Sequence, residues 1–358
     1  MKKILLSCVI LAMTACGGSS GGDDDDSGSS SSVSSSSSSL ASSSSSNLAS
    51  SSSSSSFDPE CPQGKHIVGY FPSWQGDVQD IQYQYLTHIM YSFVLPNDNG
   101  SLQALDDDSI AELGDLVLLA HAQDVKVGIA LGGWNDGDDS AFVELASNSE
   151  TRATFVSNII DFVVQHNLDG VDMDWEYPST NDEAEDYTAL MTELRAALDE
   201  LSGDKFLTAA VIAQGDWNGQ YIQSAVFDQV DFFNIMAYDE YQAINHSTLA
   251  YATTSIDYWE NRGLSREKTV LGVPFYARPS WATYSSYVDA DPANACTDSV
   301  GDNYYNGIPT IRIKSELAND RVCGMMMWEL SQDTHDETSL LKAMWEVVAG
   351  QEPSYICD

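Results

Sequence analysis

The chain has 358 residues, with 54 Asp and Glu against 15 Lys and Arg, which gives a formal net charge of −39 at pH 7. So acidic a chain is a poor partner for nucleic acid and for anionic membrane surfaces, and it favours a neutral or cationic ligand. We attribute most of the charge to a solvated acidic surface. The length suits one large domain with appended segments.

The first 16 residues predict an export signal. Two lysines precede a short apolar stretch, residues 4–13, which is too short to span a bilayer. The sequence MTAC that follows resembles the lipobox of bacterial lipoproteins, in which the cysteine, here Cys16, becomes the lipidated first residue. Cleavage after Ala15 with release of the product is the alternative. We therefore expect the protein at the cell envelope, as an outer-membrane lipoprotein, or outside the cell.

Residues 17–60 predict a disordered acidic and Ser-rich linker. Of the 30 residues from Ser27 to Ser56, 23 are Ser, so this segment has too little apolar surface to offset its ordering entropy. Residues 61–358 then form one domain with a net charge of −35.

Four cysteines remain in this domain, which in an exported protein indicates two disulfides with three alternative pairings. Because the two ends of a domain often lie close together, we expect Cys61 to pair with Cys357 and Cys296 to pair with Cys323. The His residues show no metal-ligand spacing, so we expect no metal and no cofactor.

Eight short apolar runs recur along the domain and predict parallel strands buried on both faces. They are HIVGYF (66–71), HIMYSFV (88–94), KVGIALGGW (126–134), LDGVDMDW (168–175), FLTAAVIA (206–213), FFNIMAY (232–238), TVLGVPFYA (269–277) and CGMMMWEL (323–330). Apolar residues at three- and four-residue steps predict helices between several of them, among them 113–122, Ser149–Asn167 and Glu183–Leu201, the last capped by Asn181 or Asp182. This alternation predicts a (β/α)8 barrel. An open doubly wound sheet is the alternative, although no Gly-rich dinucleotide fingerprint follows the first strand.

The fourth run carries a line of acids. Side chains alternate along a strand, so Asp172, Asp174 and Glu176 share one face that points into the barrel, whereas Asp169 is out of phase at the strand entrance. Three neighbouring carboxyls cannot all ionise cheaply, so at least one pKa must rise and protons must be shared. Glu176 is outermost and is the candidate general acid. The alternative is a cation site or a set of buried ion pairs.

Polar and aromatic side chains also gather where the predicted strands end, which is the rim that carries the active site in such barrels. Flat aromatic faces there suggest a cleft for sugar rings. The residues are Trp74, Trp134, Glu176, Asp216, Trp217, Tyr238, Asp239, Arg278, Trp328 and Asp333.

The stretch Asp169-Gly-Val-Asp172-Met-Asp174-Trp-Glu176 resembles the DxxDxDxE signature of the family 18 glycoside hydrolases, the chitinase family. Tyr177-Pro178 after it fits the chitinase branch. Further stretches resemble the family's strand motifs in order, and together they span 65–350: Gly69-Tyr70-Phe71, Gly132-Gly133-Trp134, Met236-Ala237-Tyr238-Asp239, Gly272 to Arg278, and Gly324 to Trp328.

The resemblance implies hydrolysis of β-1,4 N-acetylglucosamine linkages with retention, in which the substrate's own acetamido oxygen attacks and forms an oxazolinium ion. Glu176 would protonate the leaving oxygen, Asp174 would hold the acetamido N–H, and Asp172 would exchange a proton with Asp174. The other implied site residues are Tyr238, holding the acetamido oxygen; Tyr70, contacting Asp172; Trp134, on the leaving-group side; Trp328, under the distorted sugar; and Tyr177, Met236, Asp239 and Arg278, lining the cleft. The expected partner is chitin or a chito-oligosaccharide, with no nucleic acid, with membrane contact only through a lipid at Cys16, and with the protein as a monomer.

Two departures from the family pattern carry expectations. The third-strand motif Ser-x-Gly-Gly here begins with Ala130, which removes one hydrogen bond to Asp172, worth roughly 1.5–3 kcal/mol, so we expect an altered pH optimum rather than inactivity. Only 45 residues separate Ala277 from Cys323, which leaves no room for the α+β insertion of some members. The cleft should therefore be open and should favour internal cleavage. The remaining alternatives are an endo-β-N-acetylglucosaminidase acting on N-glycans and a non-catalytic chitin-binding lectin.

Overall fold

A computed structural model describes residues 61–215 and 218–357. The predicted signal, Cys16, the linker, and Asp216 and Trp217 lie outside these residues. No helix within the described ranges is long and apolar enough to cross a membrane.

Eight parallel strands close into a barrel with the helices outside, which confirms the predicted (β/α)8 architecture. The strands of the barrel are β1 His66–Pro72, β2 His88–Val94, β3 Lys126–Gly133, β4 Gly170–Trp175, β5 Phe206–Ile212, β6 Phe232–Met236, β7 Thr269–Pro274 and β10 Gly324–Trp328. Closure pairs β1 with both β2 and β10. Each of the eight apolar runs therefore forms one barrel strand.

The helices are α1 Asp107–His121, α2 Ser140–Ser147, α3 Ser149–Gln165, α4 Asn181–Asp199, α5 Leu249–Asn261, α6 Tyr284–Ala290, α7 Ile308–Arg321 and α8 Leu340–Val348. The three predicted helices correspond to α1, α3 and α4. The cap of α4 is Thr180, whose hydroxyl accepts from the Glu183 N–H at 3.2 Å, and not Asn181 or Asp182.

Between β7 and β10 the chain forms only α6, α7 and a two-stranded hairpin, β8 Ser299–Val300 with β9 Asn303–Tyr304. As predicted, this segment contains no sizeable α+β domain. The wall that such an insertion would add to the cleft is missing beside β7.

The predicted disulfide pairing is wrong. Cys61 is bonded to Cys323, and Cys296 is bonded to Cys357. The reason is barrel closure: β1 lies beside β10 with His66 opposite Gly324, so the cysteine before β1 meets the cysteine before β10. Closeness of the domain's two ends did not decide the pairing.

Two buried histidines pack together at the end of the barrel where β1 and β2 begin. His66 stacks on Phe232 at a centroid distance of 4.5 Å, and His88 contacts His66 edge-on at 5.2 Å. Burial, with a smaller contribution from Lys126, lowers the pKa of His66 to about 4, and burial lowers the pKa of His88 as well. Both rings are therefore neutral in the folded protein near pH 7.

Acidification should destabilise the fold through these rings. A histidine whose pKa is lower in the folded state binds fewer protons than in the unfolded state, so its stabilisation is lost as pH falls from about 6.5 towards 4. For His66 this amounts to about 2 kcal/mol between pH 7 and pH 4.5. Urea unfolding of His66→Gln at the two pH values should show a loss on acidification smaller than that of the wild type by about this amount. The exposed His335 supplies the control His335→Gln, which should lose as much as the wild type. Equal losses in both variants would contradict the prediction.

Candidate active site

The β4 strand directs its acids into the barrel, as strand alternation predicts. Asp172 is 0% and Asp174 is 3% exposed, whereas Val171, Met173 and Trp175 pack outwards against the helices. Asp169 lies at the entrance end of the strand, where its Oδ2 accepts from the Val127 N–H at 2.8 Å and lies 2.7 Å from His121 Nε2. Asp169 therefore lies away from the barrel mouth.

Asp172, the innermost acid, is held by three side chains from three other strands. Its Oδ2 accepts from the Tyr70 hydroxyl at 2.6 Å, and its Oδ1 accepts from the Thr208 hydroxyl at 2.6 Å and from Asn234 Nδ2 at 3.2 Å. Burial raises the pKa of Asp172, while these hydrogen bonds oppose that rise by stabilising the anion. Thr208 and Asn234 were not identified from the sequence, although each is a polar residue within an apolar strand run and so carried a detectable signal.

Ala130 faces Asp172 directly across the β3–β4 pair. A serine hydroxyl at this position would add a fourth donor to the Asp172 carboxylate, which favours its charged form. We expect Ala130→Ser to lower the pKa of Asp172 and to move the acid limb of the pH–rate profile to lower pH. The matched control is Ala130→Cys, which has a similar size but a weak donor. If the profiles of Ala130→Ser and wild type coincide, residue 130 has no influence on Asp172.

Asp174 and Glu176 form a hydrogen-bonded carboxyl pair at the barrel mouth. Burial raises the pKa of Asp174 far above its usual value, with further rises from the charges of Glu176 and Asp172. Burial also raises the pKa of Glu176 to about 7, and the charge of Asp239 adds to this, while hydrogen bonds from Tyr177 and Asp174 oppose it. Near neutral pH the pair therefore retains a proton.

One carboxylate oxygen of this pair, Asp174 Oδ1, can accept a further hydrogen bond. Asp174 Oδ1 is buried and has no hydrogen-bond partner among the described residues. Leaving a buried acceptor without a donor costs roughly 1–3 kcal/mol, which a bound N–H group would recover. Tyr238 packs against the inner cluster of the barrel. Burial raises the pKa of its phenol well above the usual value, and the charges of Asp174 and Glu176 add to this rise.

Asp239 is fixed by side chains from two segments. Its Oδ1 lies 2.8 Å from Arg278 Nη1 and 3.0 Å from His246 Nδ1, and Tyr276 hydrogen-bonds to the same carboxylate. Met236, two residues before Tyr238, ends β6 and packs against the inner cluster of the barrel. The sequence did not identify His246, which stands in no distinctive pattern, and it included Tyr276 only as part of the motif from Gly272 to Arg278, without a role in the site.

Aromatic rings form the floor and the rim of the mouth. Trp328 stacks on Phe93 at a centroid distance of 5.4 Å and contacts Tyr70 edge-on at 5.7 Å. Trp74 is 62% and Trp134 is 59% exposed, at the ends of β1 and β3. Asp333, in contrast, does not join this group, because its carboxylate accepts from the N–H groups of Leu340 and Leu341 at the start of α8.

The close approach of β3 to β4 depends on Gly132. This residue has a φ of +110°, and a Cβ built on it would lie 2.4 Å from the carbonyl oxygen of Asp174. A larger residue at position 132 would displace β4 and its acids.

Among the described residues no three His, Cys, Asp or Glu side chains gather as a metal ligand set.

A closed parallel barrel with a hydrogen-bonded carboxyl pair in an aromatic mouth fits the class of glycoside hydrolases. The family model described as glycosyl hydrolases family 18 matches residues 66–337, and the chain belongs to this family.

Comparison with individual proteins gives moderate similarity. The chain is 30% identical over 249 residues to the probable chitinase 10 of Drosophila melanogaster, covering 59% of this chain and 11% of that protein. Its sequence is 30% identical to that of the family 18 chitinase ChiB from the chitin utilization locus of Flavobacterium johnsoniae. The crystal structure of ChiB matches this structure with a TM-score of 0.70, covering 80% of this chain and 94% of that one. A chitinase-like agglutinin from Robinia pseudoacacia shares the fold with a TM-score of 0.70 at 22% identity, covering 78% of this chain and 99% of the agglutinin. The chain spans less than half the length of the first curated relatives it matches.

Proposed function

We propose that this protein is an exported, endo-acting chitinase that hydrolyses β-1,4-linked N-acetylglucosamine polymers with retention by substrate-assisted catalysis. The observation that carries the proposal is the Asp174–Glu176 pair, which combines a retained proton with a buried acceptor that has no partner among the described residues. A general acid requires the proton, and an acetamido N–H fits the acceptor.

In the first step Glu176 gives its proton to the glycosidic oxygen as the bond from that oxygen to the anomeric carbon breaks. The acetamido carbonyl oxygen of the same sugar forms the new bond to that carbon, giving an oxazolinium ion. Asp174 accepts a hydrogen bond from the acetamido N–H, and its negative charge stabilises the cation. Tyr238, which packs against the inner cluster of the barrel, orients the acetamido group.

In the second step Glu176, now a carboxylate, takes a proton from water, and the water oxygen attacks the anomeric carbon from the side that the leaving group vacated. The ring of the oxazolinium ion opens, and the acetamido group is restored. Both displacements invert, so the product keeps the β configuration. Asp172 supports the cycle by exchanging a proton with Asp174, and the three hydrogen bonds to its carboxylate hold it in place. The two-carboxylate distance rule does not apply to this substrate-assisted route.

Two other functions use the same fold. A lectin is one, since the agglutinin named above has this architecture, and fold alone does not decide function. Glu176 argues for an enzyme, because it places a carboxyl that can serve as a general acid at the barrel mouth, hydrogen-bonded to Asp174. An endo-β-N-acetylglucosaminidase acting on N-glycans is the other.

Reducing-end release from colloidal chitin by the wild type, and its absence in Glu176→Gln, separates enzyme from lectin. Assays on chitin oligomers and on a high-mannose glycoprotein separate the two enzymes, and we expect release only from the oligomers. Endo action should lower the viscosity of a soluble chitin polymer early in the reaction, because the missing insertion leaves the cleft open beside β7. Dominant dimer release with no early fall in viscosity would contradict endo action.

We also propose that the catalytic domain, residues 61–358, is exported as a monomer and tethered by residues 17–60 to a lipid on Cys16. The two disulfides of the described domain support an oxidising location. The protein expressed with its signal should partition into detergent, and Cys16→Ser should leave it in the aqueous phase. Aqueous partitioning of both forms would indicate release instead.

A further inference from the structure

The segment after β7 exposes a large aromatic side chain in an unfavourable backbone conformation. Trp281 is 59% exposed and has a φ of +62°. A non-glycine residue in this region costs of the order of 1–3 kcal/mol, so its surroundings must hold it there. Two backbone hydrogen bonds do so: the Trp281 N–H donates to the Ala277 carbonyl, and the Ala277 N–H donates to the Ala282 carbonyl, both at 2.9 Å.

The indole is also braced by two side chains of the site. Tyr276 stacks on it with a centroid distance of 5.4 Å and an interplanar angle of 16°, and the guanidinium carbon of Arg278 lies 3.8 Å from its ring centroid. Arg278 and Tyr276 both bind the Asp239 carboxylate. A single guanidinium group therefore separates Trp281 from Asp239, and the Tyr276 ring contacts the ring of Tyr238 edge-on at a centroid distance of 6.3 Å. The indole lies at the rim of the cleft.

The exposed part of this ring has a chemistry that suits a sugar. A rigid, pre-stacked indole offers a flat apolar surface with little entropy left to lose, and the C–H face of a pyranose ring is its complement. No inserted domain follows β7 to cover it. The indole of Trp281 is therefore accessible to a ligand that extends outwards from the catalytic pair past Tyr276 and Arg278.

We propose that Trp281 forms a stacking subsite for an N-acetylglucosamine unit outside the pair of sugars that flanks the cleaved bond. This proposal rests on the function proposed above. In the enzyme, the subsite replaces part of the wall that the α+β insertion would supply, and it makes activity depend on the length of the bound chain.

The test compares chitohexaose with a short chromogenic chitobioside. Loss of one aromatic stacking contact should lower the ratio of kcat/KM for the long substrate to that for the short one by about 3- to 10-fold in Trp281→Ala, mainly through KM. Trp281→Phe should keep most of the ratio, because phenylalanine retains an aromatic face. The two variants are comparable, since both place a non-glycine residue at the φ of Trp281. The exposed Leu118 on α1 supplies the control Leu118→Ala, which should leave the ratio unchanged.

Binding gives a readout that does not need hydrolysis. Glu176→Gln combined with Trp281→Ala should bind chitohexaose about 3- to 10-fold more weakly than Glu176→Gln alone. Hydrolysis of chitin with an unchanged ratio in Trp281→Ala, or an equal loss on both substrates, would overturn the subsite. A wild type that binds chitohexaose through Trp281 but hydrolyses nothing would leave the subsite standing and overturn the proposed activity. Absence of both binding and hydrolysis would overturn both.

Discussion

Glu176→Gln should lower kcat on chitin oligosaccharides by about 10²- to 10⁴-fold, the usual contribution of a positioned general acid. The amide preserves the size of the side chain but has no proton to give to the leaving oxygen. Steady-state kinetics on chitohexaose measures the loss. Because the pKa of Glu176 lies at about 7, wild-type activity should fall as pH rises through that value, since the deprotonated form cannot act as the acid.

A matched control is available in Glu329. This glutamate is 2% exposed, burial raises its pKa to about 7 as well, and it hydrogen-bonds to Ser331 rather than to the carboxyl pair. Glu329→Gln should keep the fall in activity near pH 7, whereas Glu176→Gln should lose it. Equal losses of kcat in the two variants would assign the effect to general damage near the cleft.

Stability provides an independent check on the same substitution. A carboxyl whose folded pKa is raised destabilises the fold when ionised, and this cost disappears as pH falls through the folded pKa. Glu176→Gln should therefore melt at a higher temperature than the wild type at pH 8, and the difference should shrink at pH 5. A large loss of activity together with a gain in stability is the pattern of a catalytic group.

Asp174→Asn should lower kcat by about 10²- to 10³-fold, the range found when a preorganised electrostatic partner of a transition state is removed. The substitution removes the charge that would balance the oxazolinium ion, yet it leaves an oxygen that can accept the acetamido N–H. We therefore expect kcat to fall far more than KM rises. Steady-state kinetics on chitin tetramers and hexamers separates the two parameters.

The control for this change lies at the other end of the same strand. Asp169 accepts from the Val127 N–H and contacts His121, away from the mouth. Asp169→Asn should lower the melting temperature without a comparable loss of kcat. A loss of kcat in Asp174→Asn no greater than in Asp169→Asn would show that the position of Asp174 in the strand gives it no special role.

The strands and the acid line could be predicted because their signals are local. Each barrel strand is a continuous apolar run, and a period of two places Asp172 and Asp174 on one face. The disulfides could not be predicted in this way, because Cys61 meets Cys323 only through the pairing of the first strand with the last. Pairings across the closure of a barrel depend on the whole fold.

The residues that surround Asp172 could likewise be predicted only in part from the sequence. Tyr70 was expected at Asp172 only from the family resemblance, and the structure places its hydroxyl 2.6 Å away. Thr208 and Asn234 also reach Asp172, but which polar strand residue faces which depends on the stagger of neighbouring strands. Trp281 and His246 lie on loops, whose course no periodicity in the sequence describes.

We propose that the substrate's acetamido group, and no enzyme carboxylate or directly attacking water, displaces the leaving group. The most direct measurement follows the anomeric proton of the first product by ¹H NMR while the wild type hydrolyses chitohexaose, before mutarotation equilibrates the ends, with fully deacetylated hexamer as the parallel substrate. The β-anomer should appear first, and the deacetylated hexamer should not be cleaved. Initial release of the α-anomer, or cleavage of the deacetylated hexamer at a comparable rate, would contradict it.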